Sequence, residues 1–295
     1  MSKKTHQQQI AQRKAERRAQ RQAERERQRR MLAITITAIV AVLVVVGGIF
    51  LIAAYTGDEA NPAAGTPSDS PSPSALPSSA GPGDKPKSIP TALAPALKRP
   101  TALPAEVDCT FKASTEPASK KVNAPANGKT KASGTSPVTL ATSIGDLHLT
   151  LDSSLAPCAV QSFLSLVGQK YYDSTSCHRM TVGEGLQVLQ CGDPSGTGRG
   201  GPGYTFADEV FPELKYGRGV LAMANSGKDT NGSQFFIVYG DGSALDPAYT
   251  VFGRIDEAGL KLIDGVAKEG VVPAGGPGDG KPVVPVDIRT ATAAG

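Results

Sequence analysis

A chain of 295 residues has room for two domains of ordinary size, yet its first hundred residues carry no mixture of side chains that could form a core. Aromatic residues make up 5% and tryptophan is absent, so the folded part must be modest and built on Val, Leu, Ile and Phe. The net charge of +4 comes from the extreme N-terminus, and the remainder is slightly acidic. That balance does not imply a nucleic-acid partner, and none is expected.

Residues 1–30 alternate Lys and Arg with Ala, Gln and a few Glu, and read as a basic cytoplasmic tail with no apolar face. Residues 31–55 contain no charge and are long enough to cross a hydrocarbon layer of about 30 Å as a helix. That length exceeds the apolar core of a cleaved signal peptide. The expectation is an uncleaved transmembrane helix, with the Lys/Arg bias keeping the N-terminus in the cytoplasm. The chain is therefore expected in the cell membrane, single-pass, with everything after the span extracytoplasmic. Residues 56–104 are rich in Pro, Ser and Ala without periodicity, which predicts a disordered linker. Residues 105–135 are intermediate and read as an N-terminal strap.

Residues 136–295 carry the folding signals. Stretches 138–140 and 145–151 form a predicted hairpin in which Leu147, Leu149 and Leu151 alternate with Asp146, His148 and Thr150. A helix is predicted over 157–166, with Pro157 at its start. Short strands follow around 177–180 and 187–190, then a Gly-rich loop over 192–203. Further strands are predicted over 219–224, 233–239 and 249–255, a second helix over 257–268, and a closing strand over 283–290. Many short strands with two helices predict a closed β-barrel with helices over its ends.

Several motifs fail on context. Residues 198–203 match a dinucleotide-binding string, but Pro202 forbids the helix that motif needs. Ligand spacing for a zinc site is missing around Cys177 and His178, and no cofactor is expected. Cys109, Cys158, Cys177 and Cys191 are even in number, which favours disulfides with three pairings open. Over 233–239, alternation puts Gln234, Phe236 and Val238 on one face and Phe235, Ile237 and Tyr239 on the other.

Five stretches together resemble the cyclophilin peptidyl-prolyl isomerases: Cys-His-Arg at 177–179, Leu-Gln-Cys-Gly-Asp at 189–193, Gly-Val-Leu-Ala-Met-Ala-Asn at 219–225, Asn-Gly-Ser-Gln-Phe-Phe at 231–236 and Tyr-Thr-Val-Phe-Gly at 249–253. The nearest likeness is to membrane-anchored bacterial members. The resemblance implies a mainly β fold, a closed eight-stranded antiparallel barrel with two capping helices. It also implies an enzyme that rotates X-Pro bonds of proline-containing polypeptides and assists protein folding. By the same resemblance Arg179 and Gln190 are the catalytic pair, and Gln187, Val188, Ala224, Asn225, Gln234, Phe236, Leu245 and Tyr249 contact the substrate. Among these, Gln187 stands where the family usually has an aromatic pocket wall. Ala244 stands where many members have Trp, and Tyr249 replaces a His. These departures imply a slower enzyme with weak affinity for cyclosporin. The alternative expectation is a tethered proline-peptide-binding chaperone or adaptor with little turnover.

Overall fold

A computed structural model describes residues 83–294. The expected tail, the expected span and residues 56–82 of the expected linker lie outside the described residues. Among the described residues, no helix is long and apolar enough to cross a membrane.

The N-terminal elements are β1 (Glu106–Cys109), β2 (Lys112–Ala113) and β3 (Gly128–Lys131). After them come β4 (Thr135–Thr142), β5 (Gly145–Asp152), α1 (Pro157–Gly168), β6 (Thr175–Ser176), β7 (Arg179–Thr181) and β8 (Val188–Cys191). The order continues with β9 (Tyr204–Thr205), β10 (Val220–Met223), β11 (Phe235–Val238), β12 (Val251–Ile255) and α2 (Glu257–Glu269). It ends with β13 (Val271–Gly276), β14 (Asp279–Pro282) and β15 (Asp287–Ala293).

Among the described residues the fold is mainly β with two helices, built on one curled sheet of eleven strands in the order β13-β14-β7-β8-β11-β10-β12-β5-β4-β15-β6. Strand β6, at one end of that order, is separated only by Cys177 and His178 from β7 near the other. The Cys177 N–H donates to the Val286 carbonyl at 2.8 Å, so the chain is held on both sides as it turns from one neighbour to the other. In β5 the alternation appears as read, with Leu147, Leu149 and Leu151 buried and His148 exposed.

Helix α1 begins at Pro157, whose missing N–H costs nothing there. Its N-cap residue Ala156 offers no side-chain acceptor. The Glu209 carboxylate takes that role, accepting from Cys158 N–H at 3.1 Å and Ala159 N–H at 2.8 Å. Burial pushes this carboxyl up to about 7, against the pull of those backbone donors and of Arg99. Helix α2 follows the usual pattern, with Asp256 capping Gly259 N–H at 2.8 Å. Two disulfides settle the open pairing, Cys109–Cys158 and Cys177–Cys191. The first ties β1 to the first turn of α1, and the second ties the residue after β6 to the end of β8.

Two expectations need correction. The closing strand expected over 283–290 starts later and runs further: residues 283–286 lie outside any strand, β15 covers Asp287–Ala293, and an unexpected hairpin, β13–β14, comes before them. Gly275, Gly276, Pro277 and Gly278 read as loop because the alternation is lost there. Secondly, the stretch 83–104, expected to be part of a disordered linker, lies along the domain. Asp84 and Val271 exchange backbone hydrogen bonds at 3.0 and 2.9 Å, and Ala94 N–H donates to Arg218 O at 2.9 Å. Arg99 donates to the carbonyls of Leu155 and Glu209 and lies 5.0 Å over the Phe211 ring. Ile89, Ala94 and Leu97 pack on the core. A proline-rich chain has little conformational freedom to lose, so it can order by pairing its backbone with a surface already folded.

Candidate functional site

Strand register assembles the site. In β7–β8 Arg179 pairs with Gln190, and in β8–β11 Gln190 pairs with Phe236. Phe236 in turn pairs with Ala222 of β10. Residues directly opposite in a ladder share a face of the sheet, so one rung carries the cation, the amide and the aromatic ring side by side. Gln234, two positions before Phe236, lies on the same face, diagonal to Gln190.

Polar side chains on this face form one hydrogen-bonded line. Arg179 Nη1 donates to Gln190 Oε1 at 2.9 Å, and Gln190 Nε2 donates to Gln234 Oε1 at 2.9 Å. Gln234 Nε2 ends the line on the carbonyls of Gly200 at 2.9 Å and Gly198 at 3.0 Å. At the other end Arg179 Nε and Nη2 donate to the two carboxylate oxygens of Asp279, at 2.8 and 2.7 Å. A guanidinium has five N–H donors, and these bonds use three. Two N–H groups are left on a side chain that is partly open to solvent.

Close backbone approach permits this arrangement. Gly192, next to the disulfide-bonded Cys191, has φ +92°, and a Cβ there would overlap the Ser233 carbonyl. Beneath the rung lies the loop held by Asp193. Burial alone would raise this carboxyl, but bonds from the Ser195 hydroxyl and from the N–H groups of Gly200, Ser195 and Gly198 hold it below the ordinary range. His178, buried beside it, is kept neutral at pH 7 mainly by burial, with Asp193 opposing and Arg179 assisting. Among the described residues, neither ring nitrogen of His178 has a hydrogen-bond partner.

The apolar wall is an aromatic cluster. Phe236 and Tyr249 meet edge to face with centroids 5.5 Å apart, and Tyr216 meets Tyr249 at 6.0 Å and Phe236 at 6.5 Å. The Tyr216 hydroxyl donates to Tyr249 O at 2.8 Å and accepts from Tyr249 N–H at 2.9 Å, which fixes the ring that replaces a His. Val188 is buried one residue pair along the same face, opposite Val238, and Leu245 is half-buried against the core.

Four of the expected contact residues have polar groups engaged within the domain, and one of them, Gln187, does not share the face of the others. Gln187 is 3% exposed and turned away: its Oε1 accepts from Asp241 N–H at 2.9 Å and its Nε2 donates to Ser88 O at 2.7 Å. It is separated from Gln190 by an odd number of positions, so the pleat points the two oppositely. Gln234 spends its amide inside the network instead of keeping it free for a ligand. Ala224 N–H is taken by Gln234 O at 2.9 Å, and Asn225 Nδ2 donates to Ala248 O at 2.9 Å. Sequence reading missed Asp279 and Tyr216, both on stretches whose composition reads as loop. A cavity of about 170 Å³ under residues 95–97 and one of about 500 Å³ between 99–112 and 205–210 include none of these residues.

The sequence profile described as cyclophilin type peptidyl-prolyl cis-trans isomerase/CLD matches residues 137–293. The chain is 46% identical over 197 residues to the probable peptidyl-prolyl cis-trans isomerase B of Mycobacterium leprae, covering 62% of this chain and 66% of that protein. It is equally similar over 199 residues to the Mycobacterium tuberculosis (strain ATCC 25618 / H37Rv) protein of the same name, covering 62% of this chain and 63% of that one. The chain thus spans a little under two thirds of these mycobacterial relatives. Over 131 residues it is 47% identical to the peptidyl-prolyl cis-trans isomerase-like 3 of Dictyostelium discoideum, covering 43% of this chain and 79% of that one.

Proposed function

Since the chain belongs to the cyclophilin-type peptidyl-prolyl cis-trans isomerase family, we propose that it accelerates rotation about X-Pro bonds in polypeptides. The uncatalysed barrier is about 18–20 kcal/mol, set by amide resonance. A cation at the prolyl nitrogen draws its lone pair out of that resonance, and no nucleophile or cofactor is needed. Arg179 supplies the cation through its two remaining N–H groups. Gln190 orients it, while Val188, Phe236, Leu245 and Tyr249 grip the proline ring and Tyr216 backs the last of these.

A 10⁵-fold acceleration needs about 7 kcal/mol, and one hydrogen bond to a charged group supplies roughly 1.5–3 kcal/mol. Orientation of the bound peptide must contribute the rest. The observation that carries this reading is the rung Arg179–Gln190–Phe236, which sets an oriented cation on the same face as an aromatic ring. The test is a protease-coupled assay on an X-Pro peptide. Arg179→Ala is expected to lower kcat/KM by about a hundredfold; an unchanged rate would leave the proline-peptide-binding chaperone or adaptor as the function.

The finer readings belong to the same proposal. Strands β6 and β7 read as one bent strand, so that β6/β7, β8, β11, β10, β12, β5, β4 and β15 close an eight-stranded barrel. The charge-free run 31–55, with its basic flank, supports a membrane anchor and an extracytoplasmic site of action on folding clients. Pairing of all four cysteines fits an oxidising compartment. A reporter fused after residue 55 and after residue 295 tests that orientation. Weak binding of cyclosporin follows from Ala244 and Tyr249, and titration with the drug measures it.

A further inference from the structure

Arg179 carries the proposed chemistry, so whatever fixes its plane fixes the direction of its free N–H groups. In the β14–β7 ladder Asp279 pairs with Thr181. That places it diagonal to Arg179 on the same face, within reach of two long side chains. The contact is side-on and bidentate, the geometry in which a planar guanidinium matches a carboxylate. Side chains of the pair are 36% and 30% exposed. Ion pairs that open to solvent contribute little to stability, so the value of this one is orientation.

The hairpin that delivers Asp279 is gripped in turn. Gly278 N–H donates to Asp84 Oδ2 at 2.6 Å, and Asp84 exchanges backbone bonds with Val271 at the hairpin's start. Val182 N–H donates to Gly278 O at 2.8 Å, which ties the hairpin tip to the end of β7. Farther along the same strap, Ser88 O holds Gln187 just before β8. The segment 84–88 therefore touches both the β13–β14 hairpin and the connection from β7 to β8.

We propose that Asp279 is a positioning residue for Arg179, and that Asp84 of the strap holds the hairpin that presents it. The inference rests on the reading of Arg179 as the catalytic cation. Two features separate it from a general structural role: the loss must fall on kcat, and it must vanish when Arg179 is absent.

The full chain in detergent is the material, with kcat and KM measured separately alongside thermal unfolding. Asp279→Ala is expected to lower kcat about tenfold, with KM changed by less than about twofold. Asp279→Asn, whose amide oxygen still accepts one bond, should fall between. In an Arg179→Ala background, Asp279→Ala should cause no further loss. Asp84→Ala leaves the ion pair itself untouched and should lower kcat about threefold. Retention of full kcat by Asp279→Ala, or an equal fractional loss without Arg179, would overturn the role of Asp279. Unchanged kcat in Asp84→Ala would overturn the strap's part. If Arg179→Ala alone keeps the wild-type rate, the underlying assignment fails instead, and that result is distinct from the others.

Discussion

Gln187 and Gln190 carry the same side chain three positions apart, and they end in opposite environments. Gln190 stands half-buried on the same face as Arg179, with its amide linking Arg179 to Gln234. Gln187 is buried, with its amide joining the strap to the turn at Asp241. A Cβ on Gly240 would overlap that amide, so even the neighbouring turn is shaped around it. Chemistry does not separate the two residues; strand parity does, together with the presence of a strap on one side of the sheet. An amide serves a reaction only where the fold leaves a neighbour for it to orient.

Substitution can break this comparison. Gln190→Leu is expected to lower kcat/KM by about thirtyfold with little change in the unfolding midpoint, since roughly 2 kcal/mol of orientation is lost from a charged partner. Steady-state kinetics beside calorimetry reads both quantities. Gln187→Leu should do the reverse: kcat/KM stays within about twofold, while stability to urea drops by about 1–2 kcal/mol from the unpaired Asp241 N–H and Ser88 carbonyl. Equal effects on rate from the two variants would refute the contrast.

A smaller effect sharpens it from another buried group. Glu209, like Gln187, spends its side chain on backbone groups. Its folded value of about 7 lies above the ordinary 4.5. Between those values the folded state holds a proton that the unfolded state has lost, so stability falls as pH rises through this window and is level outside it. The slope is at most about 1.4 kcal/mol per pH unit. Unfolding measured from pH 4.5 to 7 should show this slope in the wild type and lose it in Glu209→Gln. The isomerase rate should not follow it.

Much of this was legible in the sequence. Alternation in β5 and the Pro157 start of α1 are local signals, and both appear as read. Arg179, Gln190 and Phe236 were legible through their motifs, but their common rung was not, because register is decided by strands far apart in the chain. Asp279 escaped notice because Pro273, Gly276, Pro277 and Gly278 mask a hairpin. Tyr216 sits on a stretch with no periodicity. The Pro-rich strap was misread for a physical reason: composition reports whether a segment can build its own core, and says nothing of whether it can lie on another.

That strap has a practical consequence for where this protein can be cut. A chain started at Pro137, where the family match begins, would retain every side chain on the Arg179–Gln190–Phe236 rung. It would also leave Cys158 as a free thiol, Gln187 without its acceptor and the Asp279 hairpin without Asp84. The stretch that identifies the family is shorter than the stretch that folds as a unit, and any truncation intended to isolate the domain must begin before Asp84.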